Sequence, residues 1–162
     1  MELGLQTIHE KTALKIRRGY PLSCFEQTVK ELQKRNIPVI VHIILGLPGE
    51  STKEVLETIE YLNALDIQGI KLQLLHILKD TDLAKELPTL SLLSEEEYIT
   101  LLLQCIAHLS PDIVIHRLTG DGPKELLLAP LWSLHKRHVL NRIAHQLKKE
   151  QIYQGMDYQK KK

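Results

Sequence analysis

Four short runs rich in branched apolar residues recur along this chain, and each is followed by a segment with the period of a helix. ELGLQT (2–7), PVIVHIIL (38–45), GIKLQLLHI (69–77) and DIVIHRLT (112–119) are the strand candidates. PVIVHIIL is apolar at nearly every position, which predicts a strand buried on both faces, as in a parallel sheet. Between the runs, Ser23 with Glu26, Ser51 with Glu54 and Ser94 with Glu97 fit the capping box. In that motif a serine hydroxyl and a glutamate three residues on satisfy the free backbone donors of a helix start. A last helix is predicted over 134–149, with Leu134, Leu140, Ile143 and Leu147 on one face. The order β-α-β-α-β-α-β-α is the grammar of parallel βαβ units, so the class is α/β, parallel strands with flanking helices. A stretch at 78–93, LKDTDLAKELPTLSLL, interrupts the alternation, and loops of that length are functional or locally folded.

With 162 residues the chain suits one domain with a real core. Residues 1–150 read as that domain and 151–162 as a polar, disordered tail. A net charge of +1 offers no bulk field for nucleic acid or an anionic membrane. No apolar run is long enough to span a bilayer. Cys24 and Cys105, far apart in sequence, read as reduced thiols, so the expected location is cytoplasmic. The first strand begins at residue 2, so a four-stranded sheet with open edges is expected to be part of a larger one and to self-associate.

Sites in α/β sheets and barrels lie at the carboxyl ends of the strands. That rule selects Gln6, His42 with the turn 46–50, His76 with Lys79 and Asp80, and the stretch from His116 to Asp121. The turn GLPG (46–49) is either a tight strand-to-helix connection or a close backbone approach to a ligand. His42, His76 and His116 are either hydrogen-bonded core residues or a metal site drawn from three strands; no ligand spacing supports the metal. Asp121 either orients a hydroxyl or makes an Asx-turn. Arg17 and Arg18 close the first helix, where cations suit the dipole.

Taken together, ELGLQTIHEKTALKIRRGY (2–20), HIILGLPGES (42–51), GIKLQLLHILKDT (69–81) and VIHRLTGDGP (114–123) resemble the carboxyl-terminal half of a radical S-adenosylmethionine (radical SAM) enzyme. The group most like it is the YhcC-like radical SAM proteins, related to the Elongator catalytic subunit and oxygen-independent coproporphyrinogen dehydrogenase. The resemblance implies a partial (β/α) barrel that holds SAM and a 4Fe-4S cluster, yielding a 5′-deoxyadenosyl radical for hydrogen abstraction. Carried over residue by residue, it implies that Gln6 and Arg18 stand beside SAM's polar groups and His42 beside its ribose. Ile44, Gly46 and Leu75 would present apolar surface and backbone to the adenine. Glu50 falls one position later than the motif glutamate. The C-x-x-x-C-x-x-C cluster motif and the glycine-rich SAM motif do not occur in these residues, so the chain alone is expected to be inactive. Its implied partner is the missing amino-terminal half or the full-length chain. The alternative is a stand-alone nucleotide- or partner-binding α/β module without catalysis.

Overall fold

A computed structural model describes residues 1–120 and 122–159. Strands β1 (Glu2–Gln6), β2 (Ile40–Leu45), β3 (Gly69–Leu74) and β5 (Val114–Arg117) form one four-stranded sheet, in the order β1-β2-β3-β5 with every pair parallel. Helices α1 (Glu10–Lys15) and α2 (Leu22–Lys34) link β1 to β2, α3 (Thr52–Asn63) links β2 to β3, and α5 (Glu95–His108) leads into β5. This is the expected α/β architecture.

Alternation within the strands shows where the core sits. Val41, Ile43 and Leu45 of β2 are buried, and so are Ile70, Leu72 and Leu74 of β3. They belong to one apolar cluster with Val29 of α2, Ile59 of α3, Leu102 of α5 and Ile143 of α6 (Lys136–Glu150). Ile40, His42 and Ile44 point to the other face and are only half-buried. The expectation of a strand buried on both faces is therefore corrected: the core lies on one face of the sheet, and the second stays open, as in a section of barrel wall.

Two of the three capping boxes form. The Ser51 N–H donates to the Glu54 carboxylate at 2.7 Å, and the Glu97 N–H donates to Ser94 Oγ at 3.2 Å. The third does not. Helix α2 starts one residue before Ser23, with Pro21 at its cap. Glu10 of α1 accepts from the Leu22 N–H instead, and Glu26 accepts from the Tyr61 hydroxyl at 2.8 Å. The run at 69–77 also divides. After Leu74 the chain turns, and β4 (Ile77–Leu78) pairs antiparallel with β6 (Leu127–Ala129). The insertion that follows is locally folded, as α4 (Asp82–Glu86) and a 3-10 turn at Leu87–Thr89. On α6, Val139 and Ile143 face the core while Leu140 is 37% exposed, because spacing of four rather than three sets this face.

The described part of the expected tail is held rather than loose. Gly155 and Asp157 donate backbone N–H groups to the Ile106 and Ala107 carbonyls, and Gln154 donates to the Ser110 and Ile113 carbonyls at 2.7 Å. These bonds satisfy carbonyls at the end of α5 and just beyond it. Residues 160–162 and Asp121, with its proposed hydroxyl or turn role, lie outside the described residues.

Candidate functional site at the strand tips

A cavity of about 550 Å³ opens at the carboxyl ends of β1, β2 and β3. Four of the residues selected from the sequence line it: Gln6, Arg18, Ile44 and Leu75. Leu47, Ile16 and Leu83 add apolar walls from the turn after β2, the end of α1 and α4. Leu47, Leu75 and Ile77 form a second buried cluster above the sheet, against which Ile16, Ile44 and Leu83 pack. At the rim, Arg17 is paired with Asp82, so α1 and α4 are joined across the mouth. The ammonium of Lys85 bonds the Asp82 carboxylate and, with Arg17, holds it below its ordinary range.

The tip of β1 is unusual backbone. A bulge separates Gly4 from Gln6 in the pairing with β2, and Gln6 takes φ 61°, the left-handed region that side chains disfavour. The Gln6 amide folds back over Gly4, 2.4 Å from where a Cβ there would stand, so a side chain at position 4 would push the amide aside. Arg18, its side chain 1% exposed, donates from Nη1 to the carbonyls of Leu5 (3.2 Å) and Thr7 (2.7 Å), the residues flanking Gln6. Its Nε donates to the Tyr20 carbonyl at 2.9 Å, and its Nη2 to Glu10 Oε1 at 2.9 Å. The Tyr20 hydroxyl donates to the Gly4 carbonyl.

His42 and Gly46 are placed differently. His42 lies on the open face, two residues below Ile44, with Nε2 3.0 Å from the Glu2 carboxylate. Lys71, its register partner on β3, bonds the same carboxylate. Burial, then the Lys71 charge, pushes the His42 imidazole below its ordinary value, and the Lys71 bond does the same for Glu2. Gly46 has φ +83°, and a Cβ there would stand 3.0 Å from Leu93 Cδ1. Its close approach is to the insertion.

Glu50, just past the tip of β2, faces Thr7 and Thr12, which follow β1. Its Oε1 is sealed from solvent and meets no hydrogen-bond partner among the described residues. Burial raises its pKa above the ordinary 4.5, and the facing Thr7 and Thr12 hydroxyls offset this only in part. A carboxyl whose folded pKa is raised costs nothing below its unfolded value and destabilises as pH rises through the folded one. Glu50→Gln is therefore expected to be more stable than the parent at neutral pH, with the advantage gone by about pH 4. Urea midpoints at the two pH values check this; an equal advantage at both would mean that the charge is not the cause.

The remaining candidates separate. His76 is packed against Gly120 and Gly122, accepting at Nδ1 from the Gly122 N–H at 3.2 Å, and His116 lies over Gly69. Among the described residues no three His, Cys, Asp or Glu side chains are grouped to hold a metal ion. Sequence reasoning selected the turn 46–50 without singling out Leu47, and it passed over Tyr20 and Asp82, whose parts depend on non-local contacts.

Comparison with known proteins gives the setting of this site. Residues 1–62 match the radical SAM superfamily, and residues 67–149 match the radical SAM C-terminal domain. The chain is 43% identical over 162 residues to the uncharacterized protein YtqA of Bacillus subtilis, covering 99% of this chain and 50% of that protein. It is 39% identical over 134 residues to YhcC of Escherichia coli, covering 82% of this chain and 43% of the relative. It thus spans about half the length of the curated relatives it matches. The archaeal Methanocaldococcus infernus Elp3 with an N-terminal deletion superposes with a TM-score of 0.77 at 17% identity. That match covers 94% of this chain and 36% of the other, and at such identity it speaks for the fold. No helix among the described residues is long and apolar enough to cross a membrane. An open section of parallel barrel wall and two adjoining family matches agree: the chain belongs to the radical SAM superfamily, beside YtqA and YhcC.

Proposed function

We propose that the chain is the SAM-binding half of a radical SAM iron–sulfur enzyme and that the strand-tip cavity receives the adenosyl part of SAM. One observation carries the reading: Gln6, Ile44 and Leu75, from the ends of three neighbouring strands, line one hollow of about 550 Å³. Small-molecule sites span about 300–1,000 Å³ and combine apolar walls with a few polar groups. Ile44, Leu47 and Leu75 would cover the faces of the adenine, and Gln6 would offer its amide to the polar edge. Gly46 would shape the turn that aims Leu47, Arg18 would support the site from the first helix, and His42 would face the sugar from one step below. Ile16 and Leu83 would keep water from the nucleoside.

When SAM and a 4Fe-4S cluster are bound in a full-length enzyme, they supply radical hydrogen abstraction, and the protein's part is to hold and orient them. The residues here do not fit the cluster. It takes a converging set of thiolates, whereas Cys24 is exposed on α2 and Cys105 is buried in α5, its thiol pushed up to about 12. The cluster ligands therefore belong to polypeptide outside these 162 residues, and the chain alone is expected to be inactive.

Titration with S-adenosylhomocysteine, followed by methyl resonances, tests the cavity. Shifts are expected at Ile16, Ile44, Leu47 and Leu75, and Ile44→Asp is expected to weaken saturation at least about tenfold by placing a charge against the ring. Shifts confined to the opposite face of the sheet, or binding indifferent to Ile44→Asp, would refute the reading.

A further inference from the structure

We infer that Arg18 and Tyr20 are positioning residues: they lock the tip of β1 in the left-handed turn that presents Gln6 to the cavity, and Arg18 does so instead of gripping the ligand. The inference rests on the cavity being the adenosyl site. Four contacts define it. Nη1 of Arg18 bridges the carbonyls of Leu5 and Thr7, one on each side of Gln6, at 3.2 and 2.7 Å. Nε and Nη2 are spent on the Tyr20 carbonyl and Glu10 Oε1, both at 2.9 Å. Four of the five guanidinium hydrogens thus point at the chain's own acceptors.

Tyr20 closes the arrangement from below. Its ring lies 5.2 Å from the Arg18 guanidinium carbon, and its hydroxyl reaches the Gly4 carbonyl, where the Gln6 side chain folds over. A residue at φ 61° other than glycine persists only where its surroundings over-determine it. Here the surroundings are a planar fork that holds the carbonyls on either side of Gln6 with one nitrogen and the Tyr20 carbonyl and Glu10 with the other two. An ammonium carries the same charge but cannot reproduce that geometry.

The experiment pairs a backbone readout with two ligands on the 162-residue chain. In the parent, Gln6 is expected to show the strong intraresidue HN–Hα contact of a positive φ. Arg18→Lys is expected to lose that signature and to bind S-adenosylhomocysteine and 5′-methylthioadenosine more weakly by the same factor, roughly tenfold for the loss of one well-held contact. The second ligand lacks the amino-acid carboxylate. A loss confined to S-adenosylhomocysteine, with the Gln6 signature intact, would show that Arg18 grips the ligand and would overturn the inference. Tyr20→Phe, a milder change, is expected to weaken the signature in the same direction and serves if Arg18→Lys does not fold; an unaltered Gln6 there would equally count against it. If neither ligand binds the parent chain, the cavity reading falls, while the Gln6 signature still decides the clamp.

Discussion

Leu72→Ala is expected to destabilise the domain by about 2–5 kcal/mol, the range for truncating a leucine in a packed core. Leu72 is 0% exposed, in the middle of β3, with β2 and β5 on either side. Its side chain lies in the cluster shared by the strands and by α2, α3, α5 and α6. Domains of this size are stable by only about 5–15 kcal/mol, and here one face of the sheet contributes little burial. The loss should appear as a large drop in the urea midpoint with an unchanged slope. Ile44→Ala, on the half-buried face, is expected to cost much less. Similar costs at the two positions would mean that the open face is as well packed as the helical one.

Gly46→Ala is the second change with a large expected effect, because two penalties coincide. The left-handed backbone at φ +83° costs a side-chain residue about 1–2 kcal/mol, and the new methyl must also displace Leu93, which stands 3.0 Å away. The backbone of Leu93 is tied in place, so its side chain must give by a few tenths of an ångström. Its carbonyl accepts from Trp132 Nε1 at 3.2 Å, and Trp132 packs on Tyr98 with centroids 5.6 Å apart. A total of about 2–4 kcal/mol is expected, together with faster proteolysis in 78–93. Gly49→Ala carries the first penalty alone: φ is +89° there, but nothing stands within 4 Å of the added carbon. Equal losses in the two variants would remove Leu93 from the explanation.

How much of this could be read beforehand depended on whether a signal was local. The strands and two of the three capping boxes were legible because apolar runs and serine–glutamate spacing act over a few residues. Ser23 with Glu26 misled, since Pro21 sets an earlier start and a carboxylate from α1 takes the capping duty. The end of the third strand was illegible because Ile77–Leu78 finds its partner in Leu127–Ala129, a pairing that no local pattern announces. The same division holds at the site. The strand-end rule pointed to Gln6, and only the family resemblance pointed to Ile44 and Leu75; the three line one hollow. That Arg18 is spent on carbonyls, and that Gly46 makes room for Leu93, follows from contacts between elements distant in sequence.

Strands β2 and β3 pair residue for residue from Ile40–Gly69 to Leu45–Leu74, whereas the two family matches meet between residues 62 and 67, on the loop that joins α3 to β3. The boundary between the matched modules therefore cuts straight across an uninterrupted ladder of main-chain bonds. Dissecting the polypeptide there would strand a bare seam on each piece, with Ile59 and Leu62 torn from the leucines that cover them. In this chain the boundary between the two family matches and the boundary of the packed core fall at different places.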